Sequence, residues 1–225
     1  MKEVGDCSIL PMEDLAGLIA GAGLTVPSEA VGKLVAHAGE MLRWNRSIRL
    51  TAITAPEEVA VKHILDSLFL LRFSPFPGRI LDFGSGAGYP GIPLAVALPG
   101  AHVTLLESSG KKCAFLSHAL RMLSLDNAEV VRARLEPGRI LPIRTFEHIL
   151  TRATLPPGEA LPLLLPYLAP GGRILLMSGP GRRKGKETEK EQGGAHDRGR
   201  AAVRTVRFEL PLRMGSREIR EIRFL

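Results

Sequence analysis

The fold is decided by the stretch Ile80-Leu-Asp-Phe-Gly-Ser-Gly-Ala-Gly-Tyr-Pro-Gly-Ile92. Its first four residues are typical of a buried strand, and glycines then stand at 84, 86, 88 and 91 before a helical pattern begins. Glycines let a ligand approach the backbone closely, and the N-terminus of the following helix favours an anionic group. Because open α/β sheets bind ligands at the carboxyl ends of their strands, this glycine loop is predicted to hold a ligand.

Downstream of Arg79, short apolar runs alternate with longer helical patterns, which is typical of βαβ units and a parallel sheet. The predicted strands are 80–83, 103–107, 128–131, 148–151 and 174–177, and the predicted helices are 92–98, 111–123 and 157–168. The last helix is expected to be capped by Gly171-Gly172. Segments 203–210 and 219–225 alternate in the manner of antiparallel strands. We therefore expect an α/β sheet with a C-terminal antiparallel hairpin.

The first 75 residues are predicted to be helical. Apolar residues recur every three or four positions between Val31 and Leu42, with Ser28 as the expected cap. Thr54 is expected to open a further helix through a capping box with Glu57, and residues 12–22 form a weaker helical pattern. We expect residues 1–75 to be a helical N-terminal extension packed on a Rossmann-like domain over 76–225. Within that domain, 180–200 are almost free of apolar residues and are expected to be a flexible loop.

The charge balance favours polyanionic partners. Lys and Arg total 30 against 23 Asp and Glu, which gives a net charge of +7. Two cysteines are too few for a disulfide framework and lack the spacing of a zinc site, so we expect a cytoplasmic protein without a metal. The longest apolar stretch near the start is too short and glycine-rich to cross a bilayer, and no membrane association is expected.

Two ligands fit the glycine loop. Residues 86–91 satisfy G-x-G-x-x-G, and Glu107, about twenty residues on, would suit the ribose of NAD in an oxidoreductase. Asp82, two residues before Gly84, instead gives the D-x-G-x-G-x-G form. That form resembles the first motif of class I S-adenosylmethionine-dependent methyltransferases, where Glu107 would hold the ribose hydroxyls equally well. A basic RNA-binding module on an inert Rossmann core is the non-enzymatic alternative.

A more particular resemblance rests on motifs whose order and spacing match one family. These motifs are Trp44-Asn45, residues 50–53, 63–68, 82–93, 106–112 and 115–116, Arg134-Leu-Glu136 and Thr151-Arg-Ala153. They resemble those of the small-subunit ribosomal RNA guanine-N7 methyltransferases, the glucose-inhibited division protein B family. The resemblance implies a cytoplasmic enzyme that binds S-adenosylmethionine and methylates N7 of a guanine in 16S ribosomal RNA, as free RNA or in the small ribosomal subunit.

The same resemblance implies most of the cofactor site. Carried over by position, it includes Gly84 and Tyr89 in the loop, Leu135 and Glu136 after the third strand, and Arg152 after the fourth. The loop backbone can meet the methionine half of the cofactor. The expected cofactor-binding residues are Gly84, Gly86, Gly88, Tyr89, Glu107, Leu135, Glu136 and Arg152.

The expected substrate-binding residues are His63, Asp66, Lys111, Lys112 and Arg152. His63 and Asp66 lie one helical turn apart, so they can form an acid/base pair, a phosphate contact or a local hydrogen bond. Lys111 and Lys112 open a helix, where cations oppose the helix dipole, which indicates either an anionic neighbour or a solvated helix start. Arg152 can supply a fixed cation for a carboxylate or a phosphate. No catalytic residue is assigned, because N7 of guanine carries no proton to remove.

Three features depart from the family pattern. Arg49 replaces the usual asparagine before Leu50-Thr51, and Ser178 stands where a lysine commonly precedes Gly179. Residues 180–200 also lack the helical character that the family shows there. We expect these departures to affect substrate contacts near the end of the fifth strand and to leave the cofactor site intact.

Overall fold

The computed structural model describes residues 12–152, 154–179 and 201–224, so the segment 180–200 predicted to be a flexible loop lies outside the described residues. A seven-stranded sheet has the order β3-β2-β1-β4-β5-β7-β6. Strands β1 to β5 pair in parallel, and β7 pairs antiparallel with β5 and β6. The predicted parallel sheet with a C-terminal hairpin is confirmed. The strands are β1 (Arg79–Phe83), β2 (His102–Glu107), β3 (Ala128–Arg132), β4 (Phe146–Arg152), β5 (Leu168–Ser178), β6 (Ala201–Glu209) and β7 (Ser216–Phe224).

Helices cover both faces of the sheet. The α-helices are α1 (Met12–Gly21), α2 (Ala30–Asn45), α3 (Pro56–Val59), α4 (Asp66–Leu68), α5 (Gly91–Ala97), α6 (Gly110–Met122) and α7 (Pro157–Leu164). A π-helical turn, Ala60–Leu65, joins α3 to α4, and 3-10 turns cover Phe69–Phe73, Leu165–Tyr167 and Pro211–Arg213. Within the described parts of the chain, no helix is long and apolar enough to cross a membrane.

Two apolar clusters lie on opposite faces of the sheet, because successive strand residues point to opposite sides. Ile80 of β1 belongs to a cluster with the N-terminal helices, α5 and α6, whereas Leu81 belongs to one with α7. Leu34 of α2 and Phe115 of α6 lie in the first cluster, so the N-terminal helices share a core with the helices of the sheet. The domain boundary at residue 75 stays a prediction.

Three local expectations were wrong. The N-cap of α2 is Glu29, not Ser28. The N-cap of α3 is Ala55, not Thr54, because the helix begins at Pro56 and Thr54 lies one residue too early to cap it. Gly171-Gly172 does not cap a helix. These glycines lie in an irregular part of β5, between the pairs Phe146–Leu168 and His148–Arg173. A Cβ on Gly172 would lie 3.0 Å from the carbonyl oxygen of Glu147, so this glycine permits the close approach of β4 and β5.

Candidate cofactor and substrate site

The glycine loop leaves β1 next to the end of β2. Gly84 and Ser85 donate their backbone N–H groups to the carbonyl oxygen of Leu106, at 2.9 and 3.1 Å. Gly84, Gly86 and Gly88 all have positive φ angles, between 56° and 86°. At Gly88 a Cβ would lie only 2.5 Å from Cδ1 of Ile92, so a side chain would be strained and also clash. The two hydrogen bonds to Leu106 hold the first half of the loop, which begins with Gly84 and Ser85, against the sheet.

Asp82 anchors the start of α5. Its Oδ2 accepts the backbone N–H of Gly91 at 3.0 Å, and the Ser85 hydroxyl donates to its carbonyl oxygen at 3.0 Å. Burial raises the pKa of Asp82 to about 6, and its Oδ1 has no hydrogen-bond partner among the described residues. A Cβ on Gly91 would lie 2.6 Å from Oδ2, so the glycine allows this short contact. The aspartate of the D-x-G pattern thus fixes the turn from strand to helix.

Glu107 ends β2 and faces the glycine loop. Its two carboxylate oxygens accept backbone N–H groups from Gly86, at 3.0 Å, and from Ser109, at 2.8 Å. Oε1 also accepts the Ser108 hydroxyl, at 3.4 Å. A ligand hydroxyl can therefore bind the second lone pair of Oε2, whereas a ligand at Oε1 would have to replace the long Ser108 contact. The prediction that Glu107 stands beside the glycine loop, made from the spacing, agrees with this arrangement.

A cleft of about 580 Å³ opens at the carboxyl ends of β1, β2 and β4, a volume suited to a small-molecule ligand. Of the predicted site residues, Gly84, Glu107, Lys112, Leu135 and Arg152 line it. The lining residues that were not predicted are neighbours at the same strand ends, and the strand-end rule alone could have found them. They are Phe83, Leu106, Ser108, Ala133, Arg134, Thr154 and Leu155.

The other predicted residues lie behind or beside the cleft. Gly86, Gly88 and Tyr89 do not line it, and the ring of Tyr89 is buried against His63. Glu136 is half exposed and lies 3.6 Å from the guanidinium of Arg139. Lys111 is exposed and outside the lining.

Arg152 contacts two of the other predicted substrate residues, His63 and Asp66, but not Lys111 or Lys112. One guanidinium nitrogen, Nη1, donates to the carbonyl oxygen of Lys62 at 3.0 Å and to Oδ2 of Asp66 at 3.4 Å. The other, Nη2, lies 3.1 Å from Nδ1 of His63. Arg217 of β7 reaches the same Asp66 oxygen at 3.3 Å. The guanidinium of Arg152 is thus held by acceptors that come from the π-helical turn and α4.

His63 is neutral in this network. Burial, together with the charge of Arg152, lowers the pKa of His63 to about 3. Because the arginine can only donate, Nδ1 of His63 accepts and Nε2 carries the proton, which it donates to Oγ1 of Thr51 at 2.9 Å. Both ring nitrogens are therefore engaged. His63 and Asp66 each contact Arg152, which comes from a distant part of the chain, so the geometry gives them a shared partner; their part in substrate binding stays a prediction.

Asp66 is 2% exposed, and burial raises its pKa although Arg152 and Arg217 act in the opposite direction. Its Oδ1 has no hydrogen-bond partner within the described residues. Arg217 could not be found from the sequence, because 151 residues separate it from Asp66. The same holds for His37 of α2, which bonds the glycine loop but carries no motif and follows the apolar spacing of Leu34 and Met41.

Of the three departures from the family pattern, Arg49 and Ser178 do not line the cleft, and residues 180–200 lie outside the described residues. Arg49 is exposed, and Ser178 is an exposed residue at the end of β5, paired with Glu218 of β7. The expected effect of these departures on substrate contacts stays a prediction.

Comparisons with known proteins agree with this geometry. The family model described as GidB, rRNA small subunit methyltransferase G, matches residues 31–208. The ribosomal RNA small subunit methyltransferase G of Anaeromyxobacter sp. (strain Fw109-5) is 42% identical over 203 residues, covering 89% of this chain and 92% of the relative. That of Geotalea uraniireducens (strain Rf4) is 36% identical, with the same two coverages.

A solved structure shows the same fold at low identity. The structure of P. horikoshii TYW2 in complex with MeSAdo has a TM-score of 0.54 and is 15% identical, covering 72% of this chain and 62% of that one. The family model spans most of the chain, and the chain aligns with nearly the whole length of both relatives. The chain therefore belongs to the GidB family, the rRNA small subunit methyltransferase G proteins.

Proposed function

We propose that this chain transfers a methyl group from S-adenosylmethionine to N7 of a guanine in 16S ribosomal RNA, free or within the small ribosomal subunit. One observation carries the proposal: in a chain of this family, the glycine loop, Glu107 and Arg152 meet at a single cleft. The net charge of +7 suits an RNA partner. We place the reaction in the cytoplasm, with its RNA.

The residues of the cleft fit S-adenosylmethionine. The carboxylate of Glu107 can accept two ribose hydroxyls, one at Oε2 beside the Gly86 N–H and one at Oε1 in place of the long contact with the Ser108 hydroxyl. Leu135 is buried in the cleft wall and offers an apolar surface to an adenine ring. The backbone at Gly84 borders the cleft beside the Thr154 side chain, and because Gly84 has no side chain of its own, a ligand can approach its backbone. When bound, S-adenosylmethionine supplies a methyl group that is activated by its sulfonium.

The protein's task in this reaction is orientation. N7 of guanine presents an unprotonated lone pair, so no general base is required, and correct placement of the reacting atoms lowers the barrier. The site agrees with that requirement, because His63 is neutral and both its nitrogens are already hydrogen-bonded. Arg152 and Lys112 supply cations in the cleft, and the contacts of Arg152 with Lys62, His63 and Asp66 hold its guanidinium in one place.

The alternatives weighed from the sequence are not favoured. The family and the relatives that the chain matches are named as methyltransferases, not as NAD-dependent oxidoreductases. An inert RNA-binding module would not need an open cleft lined by Glu107 and Arg152.

Methyl transfer from labelled S-adenosylmethionine tests the proposal. Small ribosomal subunits and naked 16S ribosomal RNA, both from cells that lack the gene, are incubated with the protein, and N7-methylguanine is mapped by strand scission. We expect one labelled guanine and its loss with Glu107→Ala. Asp126 is an exposed carboxylate just before β3, at the amino ends of the strands and away from the cleft, so Asp126→Ala is the matched control and should methylate normally. Label without scission at a guanine would contradict N7 as the acceptor.

A further inference from the structure

A buried histidine connects α2 to the second half of the glycine loop. His37 is 0% exposed, and its Nε2 lies 3.0 Å from the carbonyl oxygen of Ala87. Burial lowers the pKa of His37 to about 4, so the ring is neutral at pH 7 and carries one N–H. Because a carbonyl oxygen only accepts, that proton is on Nε2 and His37 donates to the loop. Its Nδ1 has no hydrogen-bond partner in the described part of the chain.

This hydrogen bond complements the attachment of the loop to the sheet. The first half of the loop is held by the carbonyl oxygen of Leu106, which accepts from Gly84 and Ser85. The Ala87 carbonyl belongs to the second half and accepts from His37 of α2. Ala87 is buried, so loss of the His37 donor would leave its carbonyl oxygen unsatisfied in a dry environment.

His37 also begins a stack of three rings. Its ring centroid lies 4.7 Å from that of Tyr89, in the loop, with the two rings tilted by 40°. The Tyr89 ring lies 4.6 Å from that of His63, nearly parallel to it, at an interplanar angle of 13°. His63 in turn accepts from Arg152 at the cleft. The guanidinium of Arg152 lies 5.6 Å from the Tyr89 ring centroid. The stack therefore runs from α2, through the glycine loop, to Arg152 at the cleft.

We propose that His37 is a positioning residue, which holds the glycine loop through Ala87 and holds Arg152 through Tyr89 and His63. The cleft is bordered by Gly84 at the start of the loop and by Arg152, and His37 and Tyr89 connect the second half of the same loop to the His63 that contacts Arg152. The identity of the cofactor in this proposal rests on the proposed function. The role of His37 in placing the loop does not depend on which ligand the cleft binds.

Three variants in α2 test the proposal. His37→Phe keeps a ring and removes the donor, His37→Gln can restore the donor, and Glu40→Gln is the matched control. Glu40 is another buried polar residue of α2, and its carboxylate binds Trp44 and Arg43, not the loop. For each variant we would measure S-adenosylmethionine affinity by calorimetry, amide hydrogen exchange of residues 84–92 without ligand, and unfolding by urea.

We expect His37→Phe to weaken S-adenosylmethionine binding about tenfold, which is the effect of one lost hydrogen bond in a buried setting. Exchange in residues 84–92 should accelerate without a matching change in the other strands of the sheet. His37→Gln should recover most of both effects. Glu40→Gln should change neither, although it can lower the free energy of unfolding. If His37→Phe does not fold, His37→Asn, whose amide is too short to reach Ala87, takes its place.

Two results would overturn the proposal. One is unchanged loop exchange and unchanged affinity in folded His37→Phe or His37→Asn. The other is an equal effect of Glu40→Gln, which would mean that any buried polar residue of α2 matters only for stability. Failure of the wild-type protein to bind S-adenosylmethionine would instead refute the proposed function, and loop exchange would still decide the role of His37.

Discussion

Acid should destabilise this fold through its buried histidines. His37 has a folded-state pKa of about 4 and His63 of about 3, against 6.5 in the unfolded chain. Between pH 6.5 and 4 the unfolded state binds protons that the folded state excludes, so the free energy of unfolding falls as the pH falls. One proton of difference corresponds to about 1.4 kcal/mol per pH unit. The two histidines together would therefore cost about 2.7 kcal/mol per unit.

Asp82 acts in the opposite direction. Its pKa is raised from 3.8 to about 6, so between these values the folded state binds the extra proton and gains stability as the pH falls. Asp66, whose pKa is also raised, adds to this opposing effect. Counting His37, His63 and Asp82 alone, the net loss between pH 6.5 and 4 is about 4 kcal/mol, and burial of His148, which lowers its pKa to about 4, adds to this loss. For a domain of ordinary stability this is a large part of the total.

Urea unfolding, followed by circular dichroism at pH 7, 6, 5 and 4.5, measures the effect. His37→Phe removes one titrating histidine, so its free energy of unfolding should depend less steeply on pH, by about 1.4 kcal/mol per unit below pH 6.5. His102→Gln, at an exposed histidine that begins β2, is the control and should keep the wild-type slope. Equal slopes for wild type and His37→Phe would refute the reasoning, since they would show that His37 takes up a proton without a cost to the fold.

Four other outcomes are expected. Glu107→Ala should weaken S-adenosylmethionine binding by about 1 to 3 kcal/mol, because bound ribose hydroxyls would lose a charged acceptor; calorimetry that finds unchanged affinity would remove Glu107 from the site. RNA affinity should fall steeply with salt while cofactor affinity barely responds, and filter binding at several salt concentrations with a flat response would contradict an RNA partner. Gly91→Ala should cost about 1 to 3 kcal/mol in thermal unfolding, because its Cβ would lie 2.2 Å from Cδ2 of Leu105, whereas Gly100→Ala, with open space around it, should be tolerated. Single-turnover rates from pH 6 to 9 should show no dependence that His63→Gln abolishes, because no proton is removed from N7; a histidine-like pKa that disappears in the variant would mean a different acceptor.

The features that the sequence predicts well are local. Short apolar runs identify all five parallel strands to within a few residues, except that β5 begins at Leu168 and not at 174, because an irregular Pro170-Gly171-Gly172 segment hides its start. The glycine loop and the position of Glu107 follow from spacing along one βαβ unit. These features need only neighbours in the chain, which a periodic pattern records.

The features that the sequence does not predict depend on packing between distant segments. His63 and Asp66 were expected to share a helix face, and they do meet Arg152, but their burial depends on α5, β4 and β7 closing over them. His37 follows the apolar spacing of α2, so its pattern is that of a core residue. The specific partner of His37, the carbonyl oxygen of Ala87, comes next to Nε2 only in the folded protein. No periodicity records such a contact across 50 residues.

The position of β7 has a consequence for synthesis on the ribosome. This strand follows every other described strand in the chain, yet it lies inside the sheet, between β5 and β6. Until it is made, β5 offers an unpaired backbone edge at Arg173–Ser178, the six residues that β7 later pairs, and five of them are buried in the finished sheet. Such an edge invites pairing with other chains. The network at the cleft is also incomplete without Arg217 of β7. Nascent or truncated chains that stop before Ser216 should therefore aggregate. Active protein should form only after β7 has left the ribosome and can pair with β5 and β6.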